Sequence, residues 1–232
     1  MQNRFVVLFI GRAGSSYLRE LLNSHRMISM RPEILVKFKE EGDAKGQMRI
    51  VRQVLFSPAP KSYAHCLGFK TKLRDVLDQE AFSTLLQESS CSIISLKRYN
   101  IVKHAVSRLN ARRLFRTQGL WNITSNEQSL GPLTIEPCKL RELIIDMQEQ
   151  QREIDVFVNN LRLPTMEVFY EDLLDNKEQC LQRICCFLGA PYLNMRSNLL
   201  KNTDNCLEGA IENFPEVCQE FLGSEYYHLL FQ

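Results

Sequence analysis

Between Phe9 and Tyr17 the chain reads FIGRAGSSY, directly after an apolar run that ends at Ile10. Glycines at such a point let the backbone turn tightly, so that successive N–H groups and the N-terminus of a following helix converge on an anion. Gly11, Gly14, Ser15 and Ser16 have the right types for this work. Arg12, inside the turn, adds a fixed cation whose guanidinium fork matches two oxygens of a phosphate or sulfate. The nucleoside-triphosphate loop G-x-x-x-x-G-K-[ST] requires a lysine after its second glycine. Ser15 stands there instead, which disfavours ATP or GTP hydrolysis. Gly and Ser after a strand are also ordinary connectors, so turn chemistry alone leaves both readings open. A second anion-seeking stretch runs from Lys97 to Arg116, where Lys97, Arg98, Lys103, Arg108, Arg112, Arg113 and Arg116 occur with no Asp or Glu among them.

The elements that must position these residues follow from hydrophobic patterning. Arg4 to Ile10 is a continuous apolar and β-branched run, the pattern of a strand buried on both faces of a parallel sheet. Leu18, Leu21 and Leu22 then recur at helical spacing. Cys91 to Leu96 repeats the unit, followed by a helix with Val102, Val106 and Leu109 on one face. Met166 to Tyr170 is a third strand, and its helix carries Leu181, Ile184, Cys185 and Leu188 before Gly189 closes it. Met27 to Met30 and Leu67 to Lys70 are weaker strand candidates. A long helix begins near Pro137, with Leu140, Ile144, Met147, Ile154, Phe157 and Leu161 as its core stripe. Strands alternating with helices predict an α/β domain built on a mainly parallel sheet. Phe38 to Ala64 and Gln118 to Pro137 carry no readable pattern.

Composition narrows the function classes. The chain has 232 residues, is 44% hydrophobic and carries a net charge of only +2, so a single domain over 1–232 is expected and no global field points to nucleic acid or membrane. Cysteines at 66, 91, 138, 180, 185, 186, 206 and 218 form no CxxC pair and no metal-ligand spacing, and read as buried thiols of a reducing, cytoplasmic compartment. No metal is expected. No apolar segment is long enough to span a bilayer. Neither a nucleic-acid nor a membrane partner is expected, and the oligomeric state is not legible.

Strand-R-x-G-[ST]-[ST]-x-L-x-x-L-L resembles the 5′-phosphosulfate loop of the sulfotransferases, which use 3′-phosphoadenosine-5′-phosphosulfate (PAPS) as donor. The resemblance extends to ISLKRYNIVKHAVSRLNARR, which is similar to the family's second phosphate segment, with Arg98 at a strand end and Ser107 nine positions later on the next helix. It also covers VFYEDLL (168–174) with LQRICCFLGAP (181–191). The A-V-S run and the later Trp121 are closest to the bacterial trehalose 2-sulfotransferase-like branch. The resemblance implies a P-loop-like three-layer α/β fold with a central, mainly parallel sheet flanked by helices. It implies PAPS as co-substrate, held by Arg12, Ala13, Gly14, Ser15 and Ser16 at one end and by Arg98 and Ser107 at the other. Tyr170, Glu171 and Asp172 are expected to cap a helix or brace the sheet.

Sulfuryl transfer moves a group in line between two oxygens, so catalysis rests on positioning and on stabilising charge at the leaving phosphate. Arg12 is placed for the second task. The acceptor hydroxyl needs a base, which the trehalose-type resemblance assigns to Glu33 in Met30-Arg31-Pro32-Glu33; a surface carboxylate paired with Arg31 or Lys37 is the competing reading. The phenol- and steroid-type enzymes use a histidine in K-T-H-L, where this chain has Lys70-Thr71-Lys72-Leu73. An ammonium is a poor base, but Lys70 can assist as a cation beside the transferring group. His25, His65 and His104 read as structural or surface residues. The family's C-terminal nucleotide-closing segment is absent, which assigns the adenine and 3′-phosphate to the basic helix and to Arg112 or Arg113. The expected activity is transfer to a hydroxyl of a small molecule or carbohydrate; an ATP-dependent small-molecule kinase and a catalytically inactive polyanion-binding module of the same fold remain as alternatives.

Overall fold

The computed structural model describes residues 3–57, 65–200, 203 and 206–232. In chain order the elements are β1 (Asn3–Phe9), α1 (Ser15–Ser24), β2 (Ile28–Arg31), α2 (Val36–Glu40), α3 (Ala44–Phe56), β3 (Cys66–Thr71), α4 (Gln79–Glu88), β4 (Ser92–Lys97) and α5 (Ile101–Gln118). There follow α6 (Pro137–Leu161), β5 (Thr165–Phe169), α7 (Tyr170–Asp175), α8 (Lys177–Phe187), α9 (Leu207–Ala210) and α10 (Phe214–Phe221). They divide into two compact units, Met1–Lys97 with Gln150–Ser197, and Arg98–Glu149 with Asn198–Gln232. The division passes through α6.

The first unit is a five-stranded sheet in the order β2-β3-β1-β4-β5, and every pairing is parallel. β1 is central because both of its faces are apolar: Phe5 to Ile10 are all 2% exposed or less. Successive strand side chains point to opposite faces. Phe5, Val7 and Phe9 pack with Leu18, Leu21 and Leu22 of α1 and with Leu181, Ile184 and Cys185 of α8. On β3, Phe69 meets Phe82 of α4 edge to face at 6.3 Å, and Phe82 stacks on Phe157 of α6 at 6.0 Å. Helix, sheet and helix form the three layers expected. The three clear strand predictions and both weaker ones are present, each within one residue or so of its expected bounds, and Tyr170 opens α7 rather than closing β5.

Of the helices not legible in advance, α3 and α4 are the two longest. α3 begins at Asp43, whose carboxylate accepts from the Gly46 N–H at 2.7 Å. One of its buried positions is Gln47, which is fully enclosed and donates to the carbonyls of Leu35 and Asp75 while accepting from the Leu77 N–H. α4 starts at a second aspartate cap, Asp78, which accepts from the Ala81 N–H. The Pro-containing stretch 58–64 of the unassigned segment lies outside the described residues.

The second unit comprises α5, the N-terminal half of α6, α9, α10 and the segment between α5 and α6. Asn100 caps α5, accepting from the Lys103 N–H, and its amide donates to the Leu229 carbonyl at 2.7 Å. Asn213 pairs with both backbone groups of Ile135. Arg113 donates to the carbonyls of Leu130 and Pro132, which fastens the irregular segment to α5.

Of the cysteines, Cys66, Cys91, Cys180 and Cys185 are buried, whereas Cys138, Cys186 and Cys206 are exposed, so the expectation of buried thiols holds for only part of the set. Burial pushes the Cys66 and Cys180 thiols up to about 11. Among the described residues no group of three His, Cys, Asp or Glu could hold a metal ion, and no helix is long and apolar enough to cross a membrane.

Gly68 sets how closely β3 approaches β1. A Cβ there would lie 2.6 and 2.7 Å from ring atoms of Phe5. Gly68→Ala is expected to destabilise the protein by about 1–3 kcal/mol. The effect is read as a lower denaturant midpoint at unchanged slope; an unchanged midpoint would show that this approach is not constrained.

Candidate active site

The turn after β1 owes its shape to two residues with positive φ, Arg12 at 76° and Gly14 at 86°. Gly14 is the N-cap of α1, and the Leu18 N–H already bonds its carbonyl at 3.0 Å. At Gly14 the requirement for glycine is double. The conformation is left-handed, and a Cβ would come within 2.7 Å of the Tyr170 ring atom Cε2. Tyr170 also meets Tyr17 edge to face at 6.4 Å. The first residue of the YEDLL stretch therefore braces the loop. This is more specific than capping a helix or supporting the sheet, and β5, which pairs with β4, delivers it there.

Lys70 enters from β3. Its ammonium lies 3.0 Å from Ser15 Oγ and 3.1 Å from Ser16 Oγ, donating to both hydroxyls. It also stands 5.1 Å from the centroid of Phe9. The residue is 5% exposed, and burial pushes its ammonium below the ordinary lysine range against the opposing pull of Glu33. The lysine missing from the loop in sequence is supplied in space by the neighbouring strand.

Glu33 follows β2, which α1 fixes in place: Asn23 bonds both backbone groups of Met30, and Arg19 Nε donates to the Met30 carbonyl. Glu33 Oε1 lies 3.2 Å from Lys70 Nζ, and Oε2 lies 3.0 Å from Lys72 Nζ. Its partners are thus the two lysines of the K-T-K-L segment rather than Arg31 or Lys37; Lys37 instead approaches Glu41. Lys72 in turn pairs with Asp75 at 2.9 Å, and Asp75 with Lys39 at 2.7 Å. Burial lowers the Lys72 ammonium, but Asp75 and Glu33 outweigh it and leave it raised. Glu33 is about one quarter exposed, at 28%, so its carboxylate is accessible while being held by both oxygens.

Ser15, Ser16, Lys70 and Glu33 are therefore in one connected group, with Arg12, Ala13 and Gly14 forming the adjoining turn. Lys72 and Asp75 extend the group and were not anticipated as part of it. The spacing Lys70, Lys72, Asp75 at the end of a strand was the available signal.

Arg98 and Ser107 belong to the second unit, Arg98 just before the Asn100 cap and Ser107 within α5, both partly buried. The expectation that Arg112 or Arg113 helps them hold the nucleotide needs correction. At about 100° per residue, Ser107 and Arg112 are about 140° apart around the helix axis, and Arg116 is opposite Ser107. Arg113 is engaged by the carbonyls of Leu130 and Pro132. The expectation for the histidines fits what is observed: His25 is 2% exposed, accepts from the Met27 N–H and donates through Nε2 to the Pro191 carbonyl.

No family model matches the chain. Nodulation protein H of Rhizobium tropici is 28% identical over 235 residues, covering 96% of this chain and 90% of that protein. Nodulation protein H of Rhizobium meliloti is 24% identical, over 96% of this chain and 92% of that protein. A solved sulfotransferase from Alicyclobacillus acidocaldarius superposes with a TM-score of 0.51 at 15% identity, covering 99% of this chain and 96% of that one. The trehalose-type branch is not singled out by these likenesses; what they show is that the chain shares the fold of a solved sulfotransferase.

Proposed function

We propose that the chain transfers the sulfuryl group of PAPS to a hydroxyl of a small molecule or carbohydrate. The observation that carries this reading is the convergence of Lys70 on Ser15, Ser16 and Glu33 beside a left-handed turn. The turn and the ammonium supply donors for a phosphosulfate, and Glu33 supplies an acceptor for the proton that the attacking hydroxyl must lose.

The residues present fit the donor. The N–H groups of Gly14, Ser15 and Ser16 and the Arg12 guanidinium hold the 5′-phosphosulfate, while the Ala13 N–H is spent on the Ile10 carbonyl at 3.1 Å and only shapes the turn; Arg98 with Ser107 holds the 3′-phosphate. In the transfer the bond between sulfur and the 5′-phosphate oxygen breaks as the acceptor oxygen bonds to sulfur. The acceptor proton passes to Glu33, and the leaving phosphate departs as part of adenosine 3′,5′-bisphosphate. Arg12 and Lys70 stabilise the charge that grows on the leaving oxygen. Lys72 keeps Glu33 in place through its second oxygen, and Tyr170 holds the loop shape.

The activity test mixes the protein with PAPS and hydroxylated acceptors and follows release of adenosine 3′,5′-bisphosphate; ATP and magnesium form the control arm. Binding of ATP with indifference to PAPS and its product overturns the proposal in favour of a kinase. Glu33→Gln is expected to lower kcat about 10²–10⁴-fold while leaving the affinity for adenosine 3′,5′-bisphosphate unchanged. Arg12→Ala and Arg98→Ala are each expected to weaken that affinity, and wild-type binding in both would show that the nucleotide is held elsewhere.

Gly14→Ala is expected to weaken nucleotide binding as strongly as Arg12→Ala, because both the backbone conformation and the Tyr170 contact are lost. Retained affinity would show that the turn is not the phosphate cradle.

The pH dependence of kcat/KM reports the free enzyme. Burial lowers the Lys70 ammonium, so the cationic form is lost as pH rises through a value below the ordinary lysine value of about 10.4. Activity is expected to fall on the alkaline side from that point. An alkaline limb at the ordinary lysine value or above would remove Lys70 from the reaction.

A further inference from the structure

The second unit contains a cleft of about 480 Å³ lined by Leu109, Arg112, Arg113 and Arg116 of α5, by the 132–136 segment and Lys139, and by Glu212. The proposed activity makes no use of it. Its charges are unevenly engaged. Glu136 pairs with Lys139, Glu212 accepts from the Thr134 hydroxyl, and Arg113 is bound to backbone carbonyls. Arg112 and Arg116, both exposed and one helical turn apart, have no ion pair or side-chain hydrogen bond among the described residues. Two guanidiniums at that spacing present a pair of forks to an anionic group. Leu109, Leu133 and Ile135 supply an apolar floor, and the Thr134 hydroxyl with the Glu136 and Glu212 carboxylates supplies polar atoms suited to hydroxyl groups.

Neighbouring Arg112 on the helix surface, outside the lining of the cleft, is an aromatic pair. Phe115 lies next to Arg116 in sequence and three residues after Arg112, and it stacks on Trp121 with centroids 4.4 Å apart and planes at 15°. Both rings remain exposed, Phe115 at 44% and Trp121 at 49%. An exposed, nearly parallel ring pair gives a flat apolar surface of the kind that accepts one face of a sugar ring. Carboxylates within the cleft would repel a run of phosphodiesters, and the net charge of the whole chain is only +2. The mixture of unpaired guanidiniums, carboxylates, a hydroxyl and an exposed aromatic face suits a polyhydroxylated ligand that bears an anionic group.

We infer that this cleft is a binding site for an acidic saccharide, with Arg112 and Arg116 on its sulfate or carboxylate and Trp121 against a sugar ring. Arg112 and Arg116 project from the face of α5 turned away from Ser107, so their replacement is expected to leave the nucleotide contact of Ser107 in place.

Trp121 is the single tryptophan of the chain, so its fluorescence reports the site in the unaltered protein. Titration with a sulfated trisaccharide is expected to change that emission saturably, whereas the unsulfated trisaccharide produces a much weaker response. The double variant R112Q/R116Q is expected to lose the sulfated ligand at least about tenfold while keeping the affinity of the unaltered protein for adenosine 3′,5′-bisphosphate. Wild-type affinity for the sulfated trisaccharide in the double variant overturns the inference, as does equal binding of the two trisaccharides. A single-stranded oligonucleotide binding more tightly than the sugar would make the site a nucleic-acid surface. Loss of adenosine 3′,5′-bisphosphate in the double variant would make it a nucleotide site. If the double variant does not fold, the absence of any Trp121 response to the sulfated sugar in the wild-type chain overturns the inference by itself.

Discussion

A nearly enclosed ammonium is costly unless every proton finds an acceptor. Lys70 meets that condition with two hydroxyls of the turn after β1 and one oxygen of Glu33. The rest of the first unit is arranged around this contact. β3 must lie directly beside β1, with Val7 opposite Lys70 and Leu8 opposite Thr71. That register requires Gly68 against Phe5, since no side chain fits there. β2, which carries Glu33, pairs with β3 on the other side and is tied to α1 through Met30. A shift of one residue in β3 would turn Lys70 to the opposite face of the sheet and leave both the serines and the carboxylate without it.

The same contact explains how a turn without lysine can serve a doubly anionic group. In a nucleoside-triphosphate loop the cation belongs to the turn and moves with it. Here the cation belongs to an adjacent strand, and the turn contributes its N–H groups, its hydroxyls and Arg12. The left-handed conformation at Arg12 is uncommon for a residue with a side chain and costs of order 1 kcal/mol or more. Such a turn needs support from outside, and the Tyr170 ring against Gly14 gives it. A motif at the far end of the sequence is thereby joined to the first one by direct packing.

Most of the first unit was legible because its strands are apolar on both faces and its helices keep strict spacing. Leu18, Leu21 and Leu22 are buried as their periodicity requires, and so are Leu181, Ile184 and Cys185. α3 escaped because a core position is occupied by Gln47, whose hydrogen bonds are visible only in three dimensions. α4 has a readable aspartate cap and an i, i+3, i+4 set in Phe82, Leu85 and Leu86, but the set spans little more than one turn, too short for a periodicity to declare itself. For the site, residue types could nominate Glu33 and Lys70 separately. Only the fold joins them, because residues 33 and 70 reach each other through neighbouring parallel strands. Lys72 and Asp75 were missed for the same reason.

The basic run from Lys97 to Arg116 shows why charge in sequence is a poor guide to charge in space. Lys97 is held by Asp155 and Glu167. Arg108 approaches Asp146, and Arg113 serves backbone carbonyls. Helix geometry then separates what remains, with Ser107 on one side of α5 and Arg112 and Arg116 on the other. A polyanion following the run would meet neutralised cations and opposite faces in turn, so the reading of a general polyanion-binding surface loses its physical basis. What the helix offers instead is two small and separate anion-seeking positions, each with its own neighbours, and each therefore able to select a different ligand.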